Sequence, residues 1–438
     1  MNGKGKRSLF RLLALTLCGA AAGLSACTLP ISNCLAEPTE AQTLAWSDYG
    51  AEEFTSFRQK ADGFAAAFAE AAKTERGNFT VSPASVFMGL SLAAECAAGQ
   101  TREELLSVLG VSYEELTNNI GTLYRALNRE HKTNATVGNN VRGLLKTTNS
   151  VWLAEGVSFR RECIDRLASD YYCYSYSADF AGKNANANQA VRDFVKEQTN
   201  GLIDRAFDIS EETLFTLVNT LYLKDVWNTY GDDIAMTSVA YEFANANGST
   251  KSVKLLQDGY IGGRAYESER FTYFFATTYH GYQIKFMLPK DGYAASEIFT
   301  KENLAEMNAV QDFGAVDEEN RIKYYTRCLF PEYTASYDEN IKSVLQSLGV
   351  ETLFDVRCDL SSLTDDGAYC GEVRHITNLK VDRKGIEGAA VTVIPGAGAP
   401  GPDDYEEVYE DFVVDRAFAF LITDPYDITL FSGVVNEI

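Results

Sequence analysis

Only three histidines occur in 438 residues, widely separated at 131, 280 and 375, which argues against a multi-histidine metal centre. The chain also lacks G-x-S-x-G, H-E-x-x-H and G-x-x-x-x-G-K-[ST] motifs, so the common nucleophile, zinc and phosphate sites have no sequence basis. Proline is scarce, with 9 residues, and the 33 glycines show no repeat, which excludes collagen-like and low-complexity classes. Positive charge is short as well. Against 61 Asp and Glu stand 39 Lys and Arg, a net charge of −22. Such a chain has no cationic footprint for general nucleic-acid binding and no basic face for anionic lipid. Nine cysteines are scattered without a C-x-x-C pair, which argues against a disulfide scaffold and against a metal cluster. Cys96, Cys163 and Cys328 sit in apolar contexts and are expected as buried thiols, and Cys358 and Cys370 are the best candidates for a disulfide. With 61 carboxylates, an acid pair found by spacing carries no information. His131 lies in a polar, loop-like stretch, His280 at a strand turn and His375 at the start of a strand. Neither an enzyme nor a metal or cofactor is indicated.

A targeting segment is present. Lys4, Lys6, Arg7 and Arg11 precede an apolar run, Leu12 to Leu24, that is short for a membrane span. It ends in Leu24-Ser25-Ala26-Cys27, which resembles a bacterial lipoprotein signal in which Cys27 is lipidated and becomes the new N-terminus. An ordinary secretory signal cut nearby is the alternative. The expected organisation is a signal peptide over 1–26, a tether over 27–50 and a folded domain over 51–438. That chain would be lipid-anchored at the cell envelope or surface.

The domain reads as α+β. Phe54, Phe57, Phe64 and Phe68 recur at helical spacing, which predicts a helix over 51–75. Ser82-Pro83 opens a second helix, 83–97, with Ser82 as N-cap. Thr101, with Glu104 three residues on, has the pattern of a capped short helix to Leu109. Helices are also expected over 112–130, 158–169, 184–199 and 338–347. Strands are expected over 146–154, 171–176 and 214–223, then repeatedly between 253 and 330, and again over 375–382, 386–394, 417–423 and 428–435. Helices dominate the first half and strands the second, without a βαβ cadence. Between two strand-like segments, 395–411 holds three Pro and three Gly, then six acids in nine residues. It is expected to be a long exposed loop, and such loops in compact proteins are usually functional or disordered.

Several motifs, in order, resemble the serpin family over about residues 51–435. Asn78 to Ser85 (NFTVSPAS) is similar to the family's N-x-x-x-S-P-x-S. Cys96 to Thr101 is similar to its G-A-x-G-x-T. Asn219 to Trp227 (NTLYLKDVW) matches N-x-x-Y-F-K-G-x-W except at Leu223 and Asp225. Phe330-Pro331-Glu332-Tyr333 resembles P-K-F, and Arg416-Ala417-Phe418-Ala419-Phe420 resembles R-P-F-x-F. The resemblance implies a single domain of about nine helices and three sheets with an exposed reactive-centre loop over about 385–411. It places Ser82, Ser85, Asn219 and His375 in a shutter beneath the point where the central sheet opens, and Trp227 in the breach at its top. Gly385, Ile386, Glu387, Gly388, Ala389, Ala390 and Thr392 fall on the loop's hinge, whose small side chains must slide between strands. Arg383 replaces the usual hinge glutamate, so its customary ion pair is either reversed in charge or absent. Counting forward puts the scissile bond near Ala399-Pro400. Most serine proteases cut poorly before proline, so the bonds from Ile394 through Ala397, Gly398 and Ala399 carry equal weight.

The resemblance implies a protease inhibitor, a suicide substrate that forms a covalent acyl complex with a serine protease or, alternatively, a cysteine protease. The aliphatic loop favours elastase-like or subtilisin-like enzymes. A monomer is expected. The competing readings are a non-inhibitory serpin-like surface protein and a solute-binding lipoprotein; the latter should show βαβ lobes.

Overall fold

The computed structural model describes residues 33–42, 44–74, 77–132, 141–227, 233–310, 312–370, 373–386 and 405–438. Cys27 lies outside the described residues, as does the stretch from Glu387 to Asp404. That stretch contains Glu387, Gly388, Ala389, Ala390, Thr392, Ile394, Ala397, Gly398, Ala399 and Pro400.

The helical half follows the apolar spacing. Glu52–Ala71 buries Phe54, Phe57, Phe64 and Phe68 on one face. Pro83–Cys96 is buried at every position but Gly89, as befits a helix that is apolar all round. Its Ser82 side chain accepts the Ser85 amide, as an N-cap should. The next helix departs from expectation. Gly99–Leu109 begins two residues before Thr101, and Ala98 stands at its N-cap without a side-chain cap. Thr101 and Glu104 serve a distant segment instead. Thr101 Oγ1 accepts the Asp359 amide at 3.0 Å, and Glu104 accepts the amides of Glu351 and Thr352 at 2.9 and 2.8 Å. The full capping box belongs to Tyr113–Ala126, where Ser112 and Glu115 satisfy each other's amides.

Three expected segments are corrected. Residues 338–340 belong to the strand Tyr333–Asn340, in which Tyr333, Ala335 and Tyr337 alternate inward with exposed Thr334 and Ser336; the helix is Lys342–Leu348. The acidic half of the expected 385–411 loop is the strand Glu406–Val413, running parallel to Ile322–Phe330. An edge strand with a solvated face tolerates acids that a central strand would reject. Within the expected tether, Asn33–Ala36 is a strand that pairs antiparallel with Cys173–Ala178. Cys358 and Cys370 are thiols, not a disulfide, as are the buried Cys96, Cys163 and Cys328. Burial and then the neighbouring Cys370 push the Cys358 thiol up to about 11.

The fold is α+β, with ten α-helices among the described residues. A six-stranded sheet built on Phe271–Thr277, Gln283–Pro289, Phe418–Thr423 and Thr429–Val435 is almost wholly buried. An outer sheet contains Leu256–Gly262, Ile322–Phe330 and Glu406–Val413. The central sheet is in two halves. In the larger half, Phe215–Lys224 pairs antiparallel with Val141–Ala154 from Leu144↔Lys224 to Leu153↔Phe215. In the smaller, Arg374–Asp382 pairs antiparallel with Tyr333–Asn340 and turns back into Gly385–Ile386. Among the described residues, no backbone hydrogen bond joins Phe215–Lys224 to Arg374–Asp382.

Candidate functional site

The site is the slot between these two strands. Among the described residues, Ile386 bridges its upper end. Ile386 and Asp225 exchange two backbone hydrogen bonds of 2.9 Å, while Ile386 also faces Val381 across the turn. Ile386 is fully buried, an environment that its apolar side chain suits. Gly385 makes the approach possible. Its φ is +144°, and a Cβ there would lie 2.1 Å from the Asp225 carbonyl oxygen.

Trp227 anchors the same corner. Its Nε1 donates to the Asp382 carbonyl at 2.6 Å, and its buried ring meets Phe330 edge-on at 5.1 Å. The indole therefore ties the strand after Lys224 to the turn that leads into Gly385. Arg383 resolves the question of the missing glutamate. Its guanidinium pairs with Asp233 at 3.3 Å and its amide donates to Glu332 at 3.0 Å. The arginine at this position thus forms an ion pair of its own, with Asp233. Asp225 departs from the family's glycine, and His280 explains how the acid is tolerated. The buried carboxylate meets His280 Nδ1 at 2.6 Å and the His280 amide at 3.1 Å. Gly143 leaves the room, since a Cβ there would sit 2.5 Å from His280 Nδ1.

Lower in the slot, Ser82, Ser85, Asn219 and His375 come together. His375 Nε2 accepts the Ser82 amide at 3.0 Å, so the neutral ring carries its proton on Nδ1. Phe68 and Tyr337 pack against the imidazole at 5.9 and 5.8 Å. Burial lowers its pKa to about 3. Ser82 Oγ donates to the Leu430 carbonyl at 2.9 Å. Ser85 Oγ donates to Asn219 Oδ1, and Asn219 Nδ2 donates to Asn149 Oδ1 at 2.7 Å and to Thr147 Oγ1 at 3.0 Å. One helix N-terminus thus holds both edges of the slot, His375 on one side and Asn219 on the other. Each link is a hydroxyl, amide or imidazole that can exchange partners, which limits the penalty of an orphaned buried group when the edges move.

Three members of this network escaped sequence reasoning: Thr147, Asn149 and Thr377. Thr377 Oγ1 donates to the Thr80 carbonyl, below the same edge as His375. The signal was available. Thr147-Thr148-Asn149-Ser150 is a polar run inside a strand, and all four are buried. A buried strand without apolar alternation marks polar partners on both faces. His280 is a further omission, a partner of Asp225 that no local pattern announces.

Comparisons with known proteins agree with this geometry. The family described as Serpin (serine protease inhibitor) matches residues 59–438. Iripin-2 from Ixodes ricinus is 26% identical over 370 residues, covering 82% of this chain and 88% of its own length. The crystal structure of tengpin, a thermophilic serpin in its native state, superimposes with a TM-score of 0.71 at 21% identity, covering 93% of this chain and all of tengpin. Arabidopsis AtSerpin1, in its native stressed conformation, gives a TM-score of 0.66 at 20% identity, covering 89% and 99% of the two chains. With the slot, its capped upper end and the network beneath it on one framework, and a family match spanning all of them, the chain belongs to the serpin (serine protease inhibitor) family.

Proposed function

We propose that this protein inhibits serine proteases of elastase-like or subtilisin-like type as a suicide substrate. The observation that carries the reading is the slot itself, whose two described edges share no backbone hydrogen bond with each other and are bridged at the top by Ile386. The protease nucleophile attacks a carbonyl between Ile394 and Ala399, the peptide bond breaks and an acyl-enzyme forms. The freed segment enters the slot as a new strand and draws the protease with it. Deacylation then fails because the protease triad depends on close geometry. The inhibitor supplies metastability and no catalytic group.

The register supports this sequence of events. Continuing the antiparallel pairing from Ile386, whose partners are Val381 and Asp225, brings Thr392 level with His375 on one side and Asn219 on the other. Glu387 comes level with Lys380 and Lys224. An incoming hydroxyl would thus meet the polar network, and an incoming acid would meet two cations. Alternation turns Gly388, Ala390 and Thr392 to the face on which Ile386 is buried, and Glu387, Ala389 and Val391 away from it. Anchoring through a lipidated Cys27 would hold this inhibitor at the surface of the cell that makes it.

Nicking the loop between Val393 and Pro402 tests the reading. Insertion adds a central strand, so the melting temperature should rise by more than about 20 °C, well beyond the few degrees that a single ordinary interaction supplies. An unchanged or lower melting temperature after a clean nick favours the non-inhibitory serpin-like alternative.

A further inference from the structure

The outer sheet carries a solvent-facing aromatic patch where the chain returns from the loop. The rings of Tyr260, Tyr325 and Tyr409 form one group. Tyr325 and Tyr409 are cross-strand partners, stacked at 5.2 Å and 16°, and Tyr260 meets Tyr409 edge-on at 5.0 Å. Tyr260 and Tyr409 are 44% and 54% exposed. Beside them, Arg327 binds Asp411 through two hydrogen bonds of 2.8 and 2.9 Å and lies 4.9 Å over the Tyr260 ring. Tyr409 donates its hydroxyl to Glu407 at 2.7 Å. Cross-strand pairs of this kind stabilise a sheet by only about 0.2–1 kcal/mol each, and need no exposure to do so. What the pairing does here is hold large rings against one another while leaving Tyr260 and Tyr409 about half exposed. Rigid tyrosines beside an arginine are the composition of a binding hot spot, because little rotamer entropy remains to be lost.

We infer that this patch is a second docking surface for the protease that attacks the reactive loop, and that it receives an apolar ledge with a basic rim. The inference rests on the inhibitory reading. Position selects the occupant. Tyr405, four residues before Tyr409, is where the chain re-enters the sheet. From Ala399 to Tyr405 the chain spans at most about 20 Å when extended, so a protease holding the loop sits within its own radius of the patch. Charge selects the partner's chemistry. Arg327 is neutralised by Asp411, whereas Glu406 and Glu410 stand exposed on the same strand, which leaves an acidic border. Steering by that border should raise the association rate and make it sensitive to salt.

The test uses an elastase of basic isoelectric point whose nucleophilic serine is replaced by alanine, so that docking is read without acylation or insertion. The full chain is compared with its Tyr260→Ala/Tyr409→Ala and Glu406→Lys/Glu410→Lys variants by surface plasmon resonance at two salt concentrations. Both variants should bind at least 10-fold more weakly than wild type, and the salt dependence should flatten in the charge variant. Equal affinity of all three proteins overturns the patch, and the charge variant decides if the tyrosine variant unfolds. Patch-dependent docking of the inactive enzyme, with no covalent trapping of the active one, keeps the patch and rejects the inhibitory mechanism.

Discussion

His375 accepts the backbone amide of Ser82 at 3.0 Å from inside a cage of Phe68 and Tyr337. This single bond joins the small half of the central sheet to the helix behind it, and it requires a neutral imidazole. Burial lowers the folded pKa to about 3, against about 6.5 in an unfolded chain. A depressed pKa gives stability that is full above the unfolded value and is lost as pH falls from about 6.5 toward 3. The linkage is worth on the order of 5 kcal/mol across that window. His375→Gln keeps an acceptor for Ser82 but does not titrate. The variant should be less stable than wild type at pH 7 by about 1–2 kcal/mol, from imperfect packing. Its deficit should shrink or reverse by pH 4. Denaturant unfolding at pH 7, 6, 5 and 4 checks this, and a deficit independent of pH would refute it.

The closest backbone approach in the slot fixes a second outcome. Gly385→Ala brings a Cβ onto the Asp225 carbonyl and holds a non-glycine residue at φ +144°. The backbone strain alone costs about 1–3 kcal/mol. The chain should escape by breaking the Ile386–Asp225 bridge, which frees the hinge from the slot's upper end. A lowered melting temperature and faster proteolysis near residue 386 are the expected readings. Unchanged values for both would mean that the bridge is not held in solution.

Much of the fold was legible because burial writes a period into the sequence. The four phenylalanines of Glu52–Ala71 announce a helix, although it ends at Ala71 and not at 75, and Ser82-Pro83 marks the start of the next one. What failed were local patterns whose groups are engaged from far away. Thr101 and Glu104 look like a cap, yet their partners lie near residues 351–359, and no local rule reports that. Glu406–Val413 looks like a loop because acids dominate it; only the neighbouring strand reveals an edge. The shutter residues were named through the family resemblance. Their links to Asn149 and Thr147, and the pairing of Asp225 with His280, came from tertiary structure alone.

The register separates two neighbouring hinge positions. In the proposed inserted strand, alternation from the buried Ile386 would put position 390 on its face and position 389 on the opposite one. Ala390→Arg would carry an unpaired charge into the core, at several kcal/mol, so insertion slows and deacylation wins. It should behave as a substrate, cleaved without an SDS-stable complex. Ala389→Arg should retain a substantial fraction of trapping. Denaturing gels with increasing protease give the stoichiometry directly. The reverse order of severity would shift the register by one residue.

Cys27→Ser should abolish lipid attachment and release the protein from the membrane fraction. Residues 1–26 hold four basic and no acidic side chains, so their removal leaves the mature chain more acidic than the precursor and with no basic segment for anionic lipid. Lipid at residue 27 would then be the anchor. Metabolic labelling with a fatty acid, followed by fractionation, checks both parts. A variant that fractionates as wild type does would point to an ordinary secretory signal or to another mode of attachment.

The choice of protease follows from what the loop offers to a primary pocket. Val393-Ile394-Pro395-Gly396-Ala397-Gly398-Ala399 contains aliphatic and small side chains and neither Arg nor Lys. A trypsin-like pocket would bury its carboxylate without a partner, and the lost hydrogen-bonded charge disfavours the wrong side chain by several orders of magnitude. Chymotrypsin-like enzymes would need a bulky aromatic residue. Tyr405 and Tyr409 are the nearest tyrosines. Tyr409 lies within a paired strand, stacked on Tyr325, and Tyr405 sits against Glu318 and over Arg321 and Lys323. Neither tyrosine is free to enter a cleft, so the structure adds a steric reason to the chemical one. Small apolar pockets remain. Incubating the soluble domain with elastase, subtilisin, trypsin and chymotrypsin should give rapid covalent complexes with the first two. Intact mass of the released C-terminal peptide should place the cut between Ile394 and Ala399. A stable trypsin complex, or a first cut beyond Asp403, would overturn this assignment and move the reactive bond into the paired strand, where no insertion of the preceding segment could proceed without unzipping the outer sheet.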